Sequence, residues 1–218
     1  TNAINMPSLS AEEAPKLKPY MALAESLGKL VGQVLGTDIK GVSIEVEGAA
    51  AQLNPKPITG AVLAGLMGTY SDTVNMVNAP VLAKERGLDV REIRHDREGA
   101  YQTLVAVEAM TDKGPRRVAG TLFGANAPRL VELFGIDIEA ELAGSMLYIV
   151  NTDSPGFIGK LGTTLGEAGI NIATFNLGRR AARGDAASLV AVDGAIGQDV
   201  VDTLCKLDGV RKVVPLRF

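Results

Sequence analysis

The sequence predicts an α+β chain built in two parts. Short apolar runs with a period of two recur along most of its length, and helical repeats are interspersed between them. From about residue 144 the signals become cleaner, in the order strand, helix, strand, strand, helix, strand. With 46% hydrophobic and 22% charged residues, 218 residues suffice for one large domain or two ordinary ones, and disordered and collagen-like classes are excluded.

The elements follow in order. Ser10 and Glu13 have capping-box spacing, and Leu17, Met21, Ala24, Leu27, Val31 and Val34 repeat at helical spacing up to Gly36. Pro15 and Pro19 each remove a backbone donor, so the regular helix is expected from about Pro19, with residues 1–14 as a connector. In "GVSIEVEG" Val42, Ile44 and Val46 share one face and Ser43, Glu45 and Glu47 the other, the mark of a half-buried strand. "NPKPITGAVLAGLMG" reads as a tightly packed helix, and a second helix runs from near Ala79 to a stop at Gly87, followed by a strand. "AYQTLVAVEAM" and "RRVAGTLFG" are strands joined by the turn "TDKGP". Alternation around Phe134 to Ile138 predicts one last strand before a short link at 142–145.

Beyond that link the expected elements are strand 146–152, helix 156–168, strands 170–178 and 185–193, helix 198–207 and strand 210–217. This βαββαβ order is the ferredoxin-like split βαβ arrangement, two helices over one face of a four-stranded antiparallel sheet. The domain boundaries are therefore 1–39 for the connector and amphipathic helix, 40–143 for an α+β unit and 144–218 for the ferredoxin-like unit.

Several functions are excluded or left without support. A net charge of −3 gives no basic field for nucleic acid, and no apolar run approaches the roughly 20 residues of a membrane-spanning helix. The single cysteine, Cys205, forms no internal disulfide and suits a reducing cytoplasm; its neighbours Val201 and Leu204 predict a buried structural position. His95, the only histidine, sits in "REIRHDRE" and reads as a solvated surface residue. No catalytic residue and no metal site is predicted, because nucleophile, base and ligand sets of the usual spacing are absent. "GTTLGEAG" and "GFIGK" fit neither the dinucleotide nor the Walker glycine pattern. "RRAARG" reads as a solvated hairpin loop, while Arg116, Arg117 and Arg129 are candidates for an anion pocket.

The stretch "NTDSPGFIGKLGTTLGEAGINI" carries the remaining candidate site. Pro155 suits the first helical position, which makes Ser154 the expected cap and leaves the amides of Phe157 and Ile158 pointing out of the helix end. A carboxylate there meets donors and the positive end of the helix dipole. Asp153 can accept from an ammonium group, and Asn171 offers a donor and an acceptor. The alternative is that Asp153 and Ser154 only shape a turn.

A family resemblance favours the first reading. Residues 145–218 resemble an ACT domain, with the D-x-P-G-x-[IL]-G pattern matched by Asp153, Pro155, Gly156, Ile158 and Gly159 and followed by "AGINI". "VNMVNAPVLAKERG" and "RRVAGTLFG" resemble the intervening, allosteric substrate-binding domain of long-form bacterial D-3-phosphoglycerate dehydrogenases. "NAINMPSLSAEEAPKL" and the helix after it resemble the point where such chains return to their substrate domain. The resemblance implies a C-terminal regulatory fragment, in keeping with the start at Thr1. It implies L-serine as effector, held at a seam between paired ACT domains by Asn151, Asp153, Asn171 and the Phe157 and Ile158 amides. It further implies self-association, a cytoplasmic location, and NAD in the longer enzyme with no cofactor in this chain. Two alternatives stay open: an assembly module that binds no amino acid, and an anion or phosphate effector at the intervening domain. Iron–sulfur serine dehydratases carry related domains but need clustered cysteines that this sequence lacks.

Overall fold

A computed structural model describes residues 13–96, 99–124, 126–181 and 184–218. Ser10 of the expected capping box, most of the expected connector, and Ala182 and Arg183 of the "RRAARG" loop lie outside the described residues. The chain divides into two compact units, Thr1–Arg129 and Leu130–Phe218.

In the first unit helix α1 (Glu13–Leu35) runs straight through Pro15 and Pro19, which corrects the expected start near Pro19. Pro15 lies in the first turn, where an amide has no helical partner in any case. Pro19 forfeits one bond, yet Leu17 and Tyr20 on either side of it are buried and extend the apolar face. Helix α2 (Pro55–Gly68) is capped by the Asn54 side chain, which accepts from the Lys56 amide. The two helices touch backbone to backbone through glycines. A Cβ on Gly28 would stand 2.1 Å from the Val62 carbonyl oxygen, and one on Gly65 2.2 Å from that of Glu25. Helix α3 (Ala79–Glu85) is followed by a strand.

Strand β1 (Gly41–Gly48) is paired on both sides, parallel with β2 (Asp89–His95) and antiparallel with β3 (Thr103–Thr111). β4 (Gly114–Phe123) follows antiparallel to β3, giving the order β2-β1-β3-β4, which the next strand continues at its beginning. Val42, Ile44 and Val46 are buried with Val105, Val107 and Ala109, and Ser43, Glu45 and Glu47 take the other face as the alternation predicts.

The division between the units falls inside β5 (Ala127–Leu133), earlier than the link at 142–145. β6 (Ile136–Ala140) explains this, because it packs on the second unit. Asn176 Nδ2 donates to the Glu139 carbonyl at 2.7 Å, and a Cβ on Gly178 would stand 2.4 Å from the Asp137 carbonyl oxygen. The single strand expected at 134–138 is instead a hairpin. Leu133 pairs with Ile136 across Phe134 (φ 51°) and Gly135 (φ 80°), the two left-handed residues of a type I′ turn. Phe134, Ile136 and Ile138 are all buried at period two, so the alternation hides the turn.

β7 (Ser145–Thr152), α4 (Phe157–Glu167), β8 (Ile172–Arg179), β9 (Asp185–Val192), α5 (Gln198–Cys205) and β10 (Val210–Arg217) complete the second unit. Their sheet order is β10-β7-β9-β8 with antiparallel neighbours, the ferredoxin-like arrangement expected. Leu147, Ile149, Val190 and Val192 pack under Phe157, Leu161 and Leu165 of α4 and Val200 and Leu204 of α5; each fully buried apolar side chain contributes about 1.5–3 kcal/mol. Cys205 is exposed, against the buried position expected: Val200, Val201 and Leu204 already fill the apolar stripe of this two-turn helix.

Gly28→Ala is expected to destabilise the chain by about 1–3 kcal/mol or more through overpacking. Gly162→Ala, inside α4 with nothing within 4 Å of the added Cβ, should be stabilising by about 0.5–1 kcal/mol. Urea-unfolding midpoints of the two variants check both.

Candidate functional site

β7 delivers the stretch at 151–158 to one end of the second sheet. Asn151 shares parity with Leu147 and Ile149, so its side chain enters the helix-covered face and is 1% exposed. Its Nδ2 donates to the Thr152 carbonyl at 2.9 Å, while Oδ1 is buried without a partner among the described residues. Ser188 Oγ, on the same face of β9, is likewise buried without a partner. Such atoms are costly, at about 1–3 kcal/mol for an unsatisfied polar group.

The cap of α4 differs from the expected one. Gly156 is the N-cap in the left-handed region (φ 85°), and no side chain caps the helix. Pro155 therefore precedes the cap, because the chain needs a left-handed residue here to turn into the helix and only glycine takes that conformation freely. The Phe157 amide donates to the Ser154 carbonyl at 3.3 Å and the Phe157 ring is buried. Ile158, one residue further into the first turn, has no i−4 helical acceptor for its amide, and its side chain is 56% exposed.

Asp153 Oδ2 accepts from Arg179 Nη1 at 2.9 Å. Beside that pair Arg211 donates to Asp185, and the Arg180 amide donates to the Asp185 carbonyl at 3.1 Å. The Arg211 hydrogen bond holds the Asp185 carboxyl below the usual carboxylate range, against a smaller opposing effect of burial. Arg179 and Arg211 thus pair with Asp153 and Asp185 at this end of the sheet, and the Arg180 guanidinium, which donates to the Phe134 carbonyl at 2.8 Å, adds a third positive charge close enough to act on Asp185. Arg179 and Arg180 were missed from sequence because "RRAARG" reads as a solvated loop, whereas Arg179 is the last residue of β8, opposite Ala186; Arg211, on β10, carries no local signal.

Asn171 is elsewhere. β7 and β8 are both antiparallel to β9, so they run the same way, and Asn171 precedes β8 at the end near Ser145 and Val192. Its Nδ2 donates to Asp193 Oδ2 at 2.7 Å and its carbonyl accepts from the Asp193 amide at 3.0 Å. Within one chain, Asn151, Asp153, Phe157 and Ile158 gather at one end of the sheet and Asn171 stands at the other.

In the first unit the three candidate anion residues do not converge. Arg116 and Arg117 are consecutive on β4 and take opposite faces. Arg117 Nη2 lies 3.2 Å from Glu45 Oε2, beside a concavity of about 50 Å³ lined by Ser43, Glu45, Ile93, Ala106, Glu108 and Arg117. Two carboxylates against one guanidinium make that concavity unfavourable to an anion. Arg129, on β5, donates to the Pro128 carbonyl at 2.9 Å. His95 is half-buried and not a solvated residue: its Nε2 is 2.8 Å from Glu45 Oε1, because the parallel register brings the end of β2 beside β1.

The geometry defines a ferredoxin-like unit with a polar, net positive sheet end at a helix N-terminus, preceded by an α+β unit. The chain belongs to the family described as the D-3-phosphoglycerate dehydrogenase intervening domain, whose profile matches residues 16–134. It is 34% identical over 213 residues to D-3-phosphoglycerate dehydrogenase of Bacillus subtilis, covering 97% of this chain and 41% of that protein. The enzyme of the same name from Methanocaldococcus jannaschii is 33% identical over 218 residues, covering 100% of this chain and 41% of that protein. The chain therefore spans about two fifths of the length of these relatives. Among solved structures, the ACT domain of a GTP pyrophosphokinase from Chlorobium tepidum is 22% identical and covers 34% of this chain, with a TM-score of 0.29. Among the described residues no helix is long and apolar enough to cross a membrane.

The Asp185–Arg211 contact gives a pH-dependent expectation. A folded-state pKa below the unfolded value contributes stability above the ordinary carboxylate range that is lost as pH falls through the folded pKa. Arg211→Ala should move the Asp185 carboxyl up toward its ordinary value and narrow that acid window, as read by carbon-detected NMR titration of the side-chain carboxyl.

Proposed function

We propose that this chain is the regulatory and self-associating part of a D-3-phosphoglycerate dehydrogenase, and that it senses L-serine at its second unit. The carrying observation is the division of the receptor residues between the two ends of one sheet. A ligand that needs both Asp153 and Asn171 must take them from two chains. The positive end of α4, the net positive sheet end and the Ile158 amide suit the carboxylate of an amino acid. Asp153 is an acceptor, and an ammonium group would take the place of its Arg179 contact. The unpartnered Asn151 Oδ1 supports a polar ligand or rearrangement at the same end.

On this reading the oxidation of 3-phosphoglycerate, with its NAD and catalytic residues, belongs to the part of the longer polypeptide that this chain does not span. The chain itself does no redox chemistry and works in the cytoplasm, with no nucleic-acid or membrane partner. Serine bridging two ACT-like units favours the paired state by its differential affinity, and a coupling of about 1–3 kcal/mol is enough to change activity several-fold.

A second reading, an assembly module with no amino-acid binding, is favoured by the internal partners of three receptor groups. Arg179 holds Asp153, Asp193 holds Asn171, and the Ser154 carbonyl takes the Phe157 amide. Calorimetry with L-serine, using glycine and D-serine as controls and light scattering for mass, separates the two. Saturable L-serine binding by an oligomer, lost in a folded Asp153→Ala variant, is the expected result. A well-folded oligomer that gives no heat would leave only the assembly module.

A further inference from the structure

The outer face of the first sheet carries an imidazole and carboxylates that the serine reading does not use. Glu45 and Glu47 are two residues apart on β1 and share a face, and His95 on β2 is the register partner of Glu47. One ligand atom from each lies within 4.8 Å of the other two, and all three residues are half-buried. Gly99 lies close to the Glu47 carboxylate: a Cβ on it would stand 2.7 Å from its Oε2. Next to the cluster lies the small concavity that adds Glu108 and Arg117. Glu45, Glu47 and Glu108 against Arg117 give this patch a net charge of −2 with the imidazole neutral, while Arg91 on the same face is engaged by Asp89. The site thus has the sign of a cation receptor and one nitrogen donor that a merely acidic surface lacks.

We propose that Glu45, Glu47 and His95 form a binding site for a divalent first-row metal, zinc above all. Imidazole with carboxylates is a donor set suited to zinc, with bonds of about 2.0–2.2 Å. Ligands so bonded sit roughly 3 Å apart, and His95 Nε2 and Glu45 Oε1 are already separated by 2.8 Å. Without metal, Nε2 carries the proton that Glu45 accepts. With metal, the Nε2 lone pair is the ligand, so the imidazole proton resides on Nδ1 and Glu45 exchanges a hydrogen bond for a metal bond. Because the sheet register places the three residues, the site is formed before metal arrives.

The sequence holds one histidine, so the test has an unambiguous reporter. Zinc chloride is titrated into the full chain carrying Cys205→Ser, since the native thiol is exposed, with calorimetry and long-range proton–nitrogen NMR of the imidazole. One zinc per chain is expected, with a change of tautomer from Nε2–H to Nδ1–H. Glu47→Gln and His95→Ala should each weaken binding about tenfold or more. An imidazole spectrum unmoved at saturating zinc, the lack of saturable binding, or undiminished affinity in Glu47→Gln with native circular dichroism would each overturn the site. Should His95→Ala misfold, the near-isosteric Glu47→Gln decides.

Discussion

Both units are governed by the two-residue repeat of the strand, which sends neighbouring side chains to opposite faces and lets a register align one face across several strands. In the first unit this constraint puts Val42, Ile44 and Val46 with the buried residues of β3, and Glu45 and Glu47 beside His95 on the other face. In the second it puts Leu147 and Ile149 under the helices and carries Asn151 in with them. A one-residue slip in β7 would expose that core and withdraw Asn151 from it. The polar groups of interest are thus held in place by the burial of their apolar neighbours.

Helix packing sets the second constraint. Gly28 and Gly65 allow α1 and α2 to approach until side-chain carbons would strike backbone carbonyls. This contact also accounts for the tolerance of Pro19: one lost hydrogen bond is offset where Leu17, Tyr20, Leu23 and Leu27 are all buried along the same helix. Where no such packing exists, glycine has another use. Gly156 supplies the left-handed residue from which α4 starts.

Period and punctuation made most of the architecture legible in the sequence. The βαββαβ order and the alternation of β1 follow directly from residue types, because a half-covered sheet leaves a period of two. The hairpin at Phe134–Gly135 escaped for the same reason: a two-residue turn keeps apolar residues in step, and Phe134 occupies a left-handed position that sequence gives no cause to assign to it. The site was legible only in part. The start of α4 close to residue 156 follows from the local motif, although its cap is Gly156 and not Ser154, but Arg211 and Arg179 reach that end through strand pairing. The meeting of His95 with Glu45 depends on a parallel register between strands more than forty positions apart, for which no local signal exists.

The separation of Asn171 from Asp153 bears on how a sensor of the proposed kind would work. Were all receptor groups on one end of one sheet, a single chain could bind its ligand without consulting a partner, and occupancy would report nothing about assembly. With the groups divided, the free energy of ligand binding is shared with that of pairing, and each must strengthen the other by the same factor. The internal contacts that occupy Asp153 and Asn171 then have a role as competitors. In such a sensor Arg179 and Asp193 would hold these groups within one chain, and a ligand would exchange those contacts for its own at a cost in affinity. Asn151 Oδ1 has no internal contact of that kind to give up among the described residues. In such a sensor it would be the group from which a gained hydrogen bond stabilises the bound state most, since satisfying a buried acceptor removes a cost that the unliganded chain carries.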